Sequence, residues 1–334
     1  MSIGDRLLRT LSIVTVVLVA PFTAQRGFAM TAQNFRCCLL TLNNTTCTLD
    51  PGTYYITNST TLSPLGEPAE DAGLYHQPFD VKGTGLIITG TLSGSNLATT
   101  LTRYDTTTPS LMYFEGSVAS TTVENFIFNG NNYLWGTGSV PPLNCSAPYP
   151  NPHCANGFYD LNLTGARPSS QYAILVTDCD FQAAPNYALI AADDTAVTYS
   201  SFYWAFTGAM ISYNISGTGV YEDYFSATGG GAVSLNGTTT ASVQWNQFWD
   251  NHSLCGDGNP GGQVYADPGS SNVTINNNWI DGGGYKARGC VSTGIEIYGS
   301  NDSILSNQIR SRLVWYHGER CFVASDRQRA RLCG

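Results

Sequence analysis

The chain has 334 residues, 42% of them hydrophobic and 12% charged, so it can bury a sizeable core and is long enough for one large domain. Its formal net charge of −9 understates the acidity of the body, because residues 30–309 hold six Lys/Arg against 21 Asp/Glu, a balance of −15, while six arginines crowd the last 25 residues. That balance disfavours a nucleic-acid partner, whose phosphates it would repel.

In chain order, residues 1–29 read as a secretory signal peptide: Arg6 and Arg9, an apolar run over 11–20, then small residues at Gly27 and Ala29 around a cleavage site. The run is short for a membrane span, and no other stretch approaches that length. Secretion to an extracellular, periplasmic or cell-surface destination is therefore expected. Ten cysteines fit such an oxidising compartment, and their spacing is not that of a zinc site. Cys37, Cys38 and Cys47 fall in a segment, 30–48, expected to cap the domain that follows over 49–309. Cys145 and Cys154 bracket a Pro-rich excursion over 136–156. Residues 310–334 leave the pattern of the domain and are expected to form a basic C-terminal tail or cap.

Within 49–309 one phrase recurs: a β-branched apolar residue, then a large apolar one five positions later. It reads VENFIF from Val123, VTDCDF from Val176, VTYSSF from Val197, VYEDYF from Val220 and VQWNQF from Val243, and more loosely runs from Thr274 to Trp279 and from Ile304 to Ile309. From Phe181 to Phe202, Phe225 and Phe248 the steps are 21, 23 and 23 residues, a period that marks a solenoid whose units bury their apolar faces on one another. Two before the large residue stand Ser200, Asp223, Asn246, Asn277 and Asn307, residue types suited to a chain corner. Cys179 occupies the same column and is expected to be buried and reduced. A strand over 188–193, 209–214, 232–236, 263–267 and 294–299 precedes each of five copies. Short alternating runs with turn residues between them, and almost no 3.6-residue periodicity, predict an all-β fold. Leucine-rich repeats share the period but need a Leu/Asn framework that is absent, which leaves a parallel β-helix with coils of about 21–23 residues, each rising by a strand spacing of about 4.8 Å.

The corner column resembles the asparagine ladder of right-handed parallel β-helices, the fold of the pectate lyase superfamily. The segments LDPGTYYITNSTTL from Leu49 and GLIITGTLSGS from Gly85 are similar to the opening coil of its secreted members. The resemblance implies a single-stranded right-handed parallel β-helix. It does not select an activity, since the superfamily includes lyases, glycoside hydrolases, epimerases, tailspikes and non-enzymatic surface proteins.

Chemistry is expected where the period stretches. From Phe248 to Trp279 and on to Ile309 the steps are 31 and 30 residues, so WDNHSLCGDGNPGG from Trp249 and DGGGYKARGC from Asp281 are neighbouring insertions. They bring together Asp250, His252, Asp257, Asp281, Tyr285, Lys286 and Arg288, and a Cys255–Cys290 disulfide would tie them. β-Elimination of a polyuronate needs a base for the proton α to the carboxylate and positive charge on the enolate-like intermediate. The resemblance to lyases of this fold implies Lys286 or Arg288 as base, with Ca2+ held by Asp250, Asp257 and Asp281. Tyr285, Trp249 and His252 are the candidate substrate contacts. The competing reading is that these are solubilising charges on a Gly-rich loop. Asp178 with Asp180, and Asp193 with Asp194, could serve a polygalacturonase-like hydrolase, but the Gly-His-Gly and Arg-x-Lys motifs of that type are missing and Asp193 and Asp194 lie at turn positions. The expected partner is a polysaccharide, acidic on the lyase reading. The alternative is a non-catalytic surface or adhesive solenoid.

Overall fold

The computed structural model of the chain describes residues 29–57, 74–75, 78–105, 108–118, 120–131, 159–168, 173–229, 231–249, 251, 262–281, 293–310, 313–316 and 319–321. Residues 1–28 of the expected signal peptide and the cysteines at 145, 154, 255, 290 and 333 lie outside these residues.

Three long sheets carry the fold. The first has nine strands, from Thr46–Thr48 to Ser303–Leu305. The second has ten, among them Gly52–Ile56 and Gln308–Arg310, and the third has ten, from Phe79–Val81 to Glu319–Cys321. The chain visits the sheets in rotation: Thr195–Thr198 in the first, Ser201–Tyr203 in the second and Gly208–Tyr213 in the third, before Gly219–Tyr221 pairs parallel with its starting strand. That rotation is the parallel β-helix expected from the repeat. Coils are numbered here by their first-sheet strands. Coil three opens at Thr121–Glu124, four at Ile174–Thr177, five at Thr195–Thr198, six at Gly219–Tyr221, seven at Ser242–Gln244, eight at Thr274–Asn276 and nine at Ser303–Leu305. Where the sequence reading ends the coils at 309, parallel pairing continues through Leu313–Tyr316 against Thr293–Ile297, and Glu319–Cys321 then folds back antiparallel.

The recurring phrase spans two sheets and the corner between them. Its first apolar residue points inward from the first sheet, where Val123, Val176, Val197, Val220 and Val243 are Cα partners in succession. Its second points inward from the second sheet. There Phe128, Phe181, Phe202, Phe225 and Phe248 are buried, with centroids 4.7–4.9 Å apart and planes within 2–8° of parallel. Full burial of each ring stabilises the fold by about 1.5–3 kcal/mol. In coil eight the partners of Val243 and Phe248 are Ile275 and Ile280, not Thr274 and Trp279. Because strand side chains alternate, this one-residue correction puts Ile280 in the core and turns Trp279 outward.

The corner itself takes two residues. The ladder member two before the Phe is buried and bonds to the next coil: Ser200 N–H donates to Asp223 Oδ1 at 2.7 Å, Asp223 N–H to Asn246 Oδ1 at 2.9 Å, Asn246 N–H to Asn278 Oδ1 at 2.9 Å and Asn278 N–H to Asn307 Oδ1 at 2.9 Å. In coil eight the ladder residue is therefore Asn278, again one position from the residue read in the sequence. Left-handed backbone falls on the residue before it: Asn125, Asp178, Tyr199, Glu222, Trp245, Asn277 and Ser306 have φ between 51° and 62°. For residues other than Gly, Asn and Asp this conformation costs about 1–2 kcal/mol.

The sequence reading expects almost no helix, and one occurs among the described residues, Ala32–Thr41. Thr31 caps it, its side chain accepting from the Asn34 N–H at 3.5 Å. Ala32, Phe35, Cys38 and Leu39 are buried in the main core, with Phe35 edge-on to Phe79 at 5.2 Å. A Cys38–Cys47 disulfide joins the helix to the first strand of the first sheet.

Candidate functional site

Three long segments, 132–158, 250–261 and 282–292, interrupt the same corner of the solenoid. Each follows a second-sheet strand (Phe126–Asn129, Gln247–Trp249 and Trp279–Asp281) and precedes a third-sheet strand (Tyr159–Pro168, Gly262–Ala266 and Thr293–Ile297). They belong to coils three, seven and eight. Coils four to six cross the corner through 183–186, 204–207 and 227–232, so a stretch of three coils with short crossings lies between the first long segment and the other two.

Of the sequence-derived candidates, Asp250, His252, Asp257, Tyr285, Lys286 and Arg288 lie outside the described residues. Trp249 and Asp281 are described, and the structure brings them together as Cα partners in adjacent rungs at the edge from which both insertions leave. Trp249 is 47% exposed. Asp281 is half-buried, its backbone carbonyl accepts from Gln263 Nε2 at 3.5 Å, and its own partner on the next rung is Arg310. The Arg310 guanidinium lies 4.5 Å from the centroid of the Trp279 ring, a cation–π contact.

These residues belong to the outer face of the second sheet, whose strands are three residues wide over coils four to nine. One outward column runs Asp180, Ser201, Tyr224, Gln247, Trp279 and Gln308, and the other Gln182, Tyr203, Ser226, Trp249, Asp281 and Arg310. Tyr203 and Tyr224 lie 5.6 Å apart between centroids, and Trp204 beside them is 60% exposed. The face thus alternates aromatic rings with amides, hydroxyls and carboxylates. Rings can stack on the apolar faces of sugars while the polar groups bond hydroxyls. Sequence reading missed Trp279 and Arg310 because their outward direction depends on a register that the looser copies of the phrase obscure; Tyr224 lies in a clear copy, where its outward direction follows from the inward Phe225 beside it.

Of the carboxylates weighed for hydrolysis, Asp193 and Asp194 lie in a corner and Asp180 in a strand of the second sheet. Asp193 Oδ1 accepts from the Ser216 N–H at 2.7 Å, and Asp194 has left-handed backbone with φ 53°. Asp180 accepts from Gln182 Nε2 at 2.7 Å, and burial raises its carboxyl above the usual range despite that bond. Asp223 is a ladder member, and burial likewise raises it well above the usual range. Among the described residues no group of three His, Cys, Asp or Glu side chains is placed to hold a metal ion, and Asp281 is the one described member of the candidate Ca2+ set.

A buried ion pair anchors the base of the 132–158 segment. Arg103 is fully buried, bonding to Asp160 Oδ1 at 3.0 Å and to the carbonyls of Gly130 at 3.2 Å, Tyr159 at 3.1 Å and Thr108. Burial pushes the Asp160 carboxyl up to about 6 against the pull of Arg103. With four acceptors around it the guanidinium keeps its charge, so the pair is ionic at neutral pH.

A comparison with curated proteins finds no match. Residues 165–327 match the family model described as the right handed beta helix region. The parallel ladders of the three sheets run through that span and continue before it. The fold of the chain is a right-handed parallel β-helix.

Proposed function

We propose that this is a secreted polysaccharide-binding β-helix whose ligand lies on the outer face of the second sheet, beside the corner from which 250–261 and 282–292 leave. The observation that carries the reading is the pairing of exposed Trp249 with Asp281 in adjacent rungs, flanked by Trp279, Tyr203 and Trp204. A stacking ring and a hydroxyl-bonding carboxylate then sit one strand spacing apart on a rigid scaffold, where binding functions concentrate.

The catalytic form of this reading is β-elimination on a polyuronate. A base takes the proton α to the uronate carboxylate, and the electron pair forms the C4–C5 double bond as the glycosidic oxygen at C4 departs. Lys286 or Arg288 is the base, since both belong to the segment that begins one residue after Asp281. Asp250, Asp257 and Asp281 are the carboxylates that would hold Ca2+, which when bound neutralises the uronate charge that an acidic surface otherwise repels.

Affinity electrophoresis through gels containing pectate, alginate or other polyuronates tests binding, and Trp249→Ala is expected to restore free mobility. Absorbance of unsaturated product, with and without Ca2+, tests elimination. Retardation without product from any polymer would leave a non-catalytic binding solenoid, and no retardation by any polymer removes both readings.

A further inference from the structure

The corner between the first and second sheets demands left-handed backbone in every coil from three to nine. Coils three, four and eight meet the demand with Asn125, Asp178 and Asn277, residues whose short polar side chains tolerate it. Coils five, six and seven instead place Tyr199, Glu222 and Trp245 there, at a cost in backbone energy. Burial does not explain the choice, because Tyr199 is 58% and Trp245 53% exposed. Bulky residues held in strained backbone without packing against the core point to a use at the surface.

The three side chains form an ordered ridge. Backbone bonds lock each corner to the next, from the Tyr199 N–H to the Tyr221 carbonyl at 3.3 Å, from Glu222 to Gln244 at 3.2 Å and from Trp245 to Asn276 at 3.2 Å. The Tyr199 hydroxyl donates to the Glu222 carboxylate, which fixes that carboxylate between the two rings. An open depression beside it is lined by Glu222, Asp223, Tyr224, Trp245 and Gln247. The two rings stand two coil steps apart, about 10 Å, close to the length of a disaccharide.

We propose that this ridge is a second carbohydrate site, distinct from the Trp249 edge, which binds an uncharged glycan running along the solenoid axis. Trp245 and Tyr199 are the stacking platforms, with Glu222 bonding hydroxyls between them and Gln247 doing so beside Trp245. The ligand is uncharged because none of the seven corner positions carries a cation, whereas Asp178 and Glu222 supply two carboxylates. A polyuronate would meet like charge along the whole ridge.

The test is calorimetric titration of the full chain with cello-, xylo-, manno- and chito-hexaose, together with thermal melts. At least one hexasaccharide is expected to bind. Trp245→Asn and Tyr199→Asn should each weaken it at least tenfold while leaving the melting temperature unchanged or raised, since Asn suits the backbone better. Trp249→Ala should leave this binding intact. The proposal is overturned if no hexasaccharide binds, if Trp245→Asn binds like the parent or melts lower, or if Trp249→Ala weakens binding equally. Failure of polyuronate binding at the Trp249 edge would not affect it.

Discussion

Asp223 occupies a place in the ladder that suits an amide better than a carboxyl. Asn246 donates from Nδ2 to the Val220 carbonyl at 2.9 Å, Asn278 to Val243 at 2.8 Å and Asn307 to Ile275 at 2.8 Å, each three residues before the preceding ladder member. The matching acceptor for Asp223 is the carbonyl of Val197. Asp223 Oδ1 accepts from Ser200, but Oδ2 is buried without a hydrogen-bond partner, and an ionised carboxylate has nothing to donate. Asp223→Asn supplies the missing N–H. Relieving an unsatisfied buried acceptor is worth about 1–3 kcal/mol, which corresponds to a melting-temperature rise of roughly 1–4 °C in a chain of this size.

The pH dependence follows from burial, which raises the folded-state carboxyl well above its usual value. Below about pH 4 the group is protonated in both folded and unfolded states, and a protonated Oδ2 can itself donate to Val197. As pH rises, the unfolded chain ionises while the folded state resists, so parent stability falls by up to about 1.4 kcal/mol per pH unit until the folded-state value is reached. The Asn variant lacks that slope. Denaturant titrations of both proteins at pH 4, 5, 6 and 7 should show a gap that favours Asn and widens with pH. A gap that shrinks with pH, or an Asn variant less stable at pH 7, would refute the reasoning.

Phe202→Ala removes the middle ring of the stack, 4.7 Å from Phe181 and 4.9 Å from Phe225, and is expected to cost about 3–5 kcal/mol in equilibrium unfolding. Arg103→Met strands Asp160 as a buried charge and should cost about 3–5 kcal/mol at pH 7. With Arg103 gone nothing offsets burial, which raises the Asp160 carboxyl further, so melts at pH 5 should show a smaller loss as the carboxyl takes a proton. Alkylation of the native protein followed by peptide mapping should modify exposed Cys37 and spare Cys179, whose thiol is buried and pushed up by desolvation.

The repeat was readable because both apolar residues of the phrase are specified by type in coils four to seven, and these are the residues that stack. It blurred in coil eight. There Thr274 and Ile275, and likewise Trp279 and Ile280, are adjacent apolar or β-branched choices, and only the ladder bond from Asn278 to Asn307 decides between them. The left-handed position was hidden for a different reason: Tyr199, Glu222 and Trp245 lack the composition that such backbone ordinarily selects, so their strain appears only as φ. The insertions could be located from the broken period. That 132–158 opens at the same corner as 250–261 and 282–292 could not, because a sequence gives the length of an excursion but not which pair of sheets it joins.

The column of phenylalanine rings ends at Phe248. Beyond it the inward positions of the second sheet pass to Ile280, fully buried, and then Ile309, only partly so. A solenoid opens from its ends, each unit held only by its neighbours. Trp249 and Asp281 therefore straddle a boundary in stiffness, one rung on the ring-stacked body and the next on the part that opens first. A ligand bridging the two would splint the softer end, so occupancy there should register as slowed amide exchange in coils eight and nine.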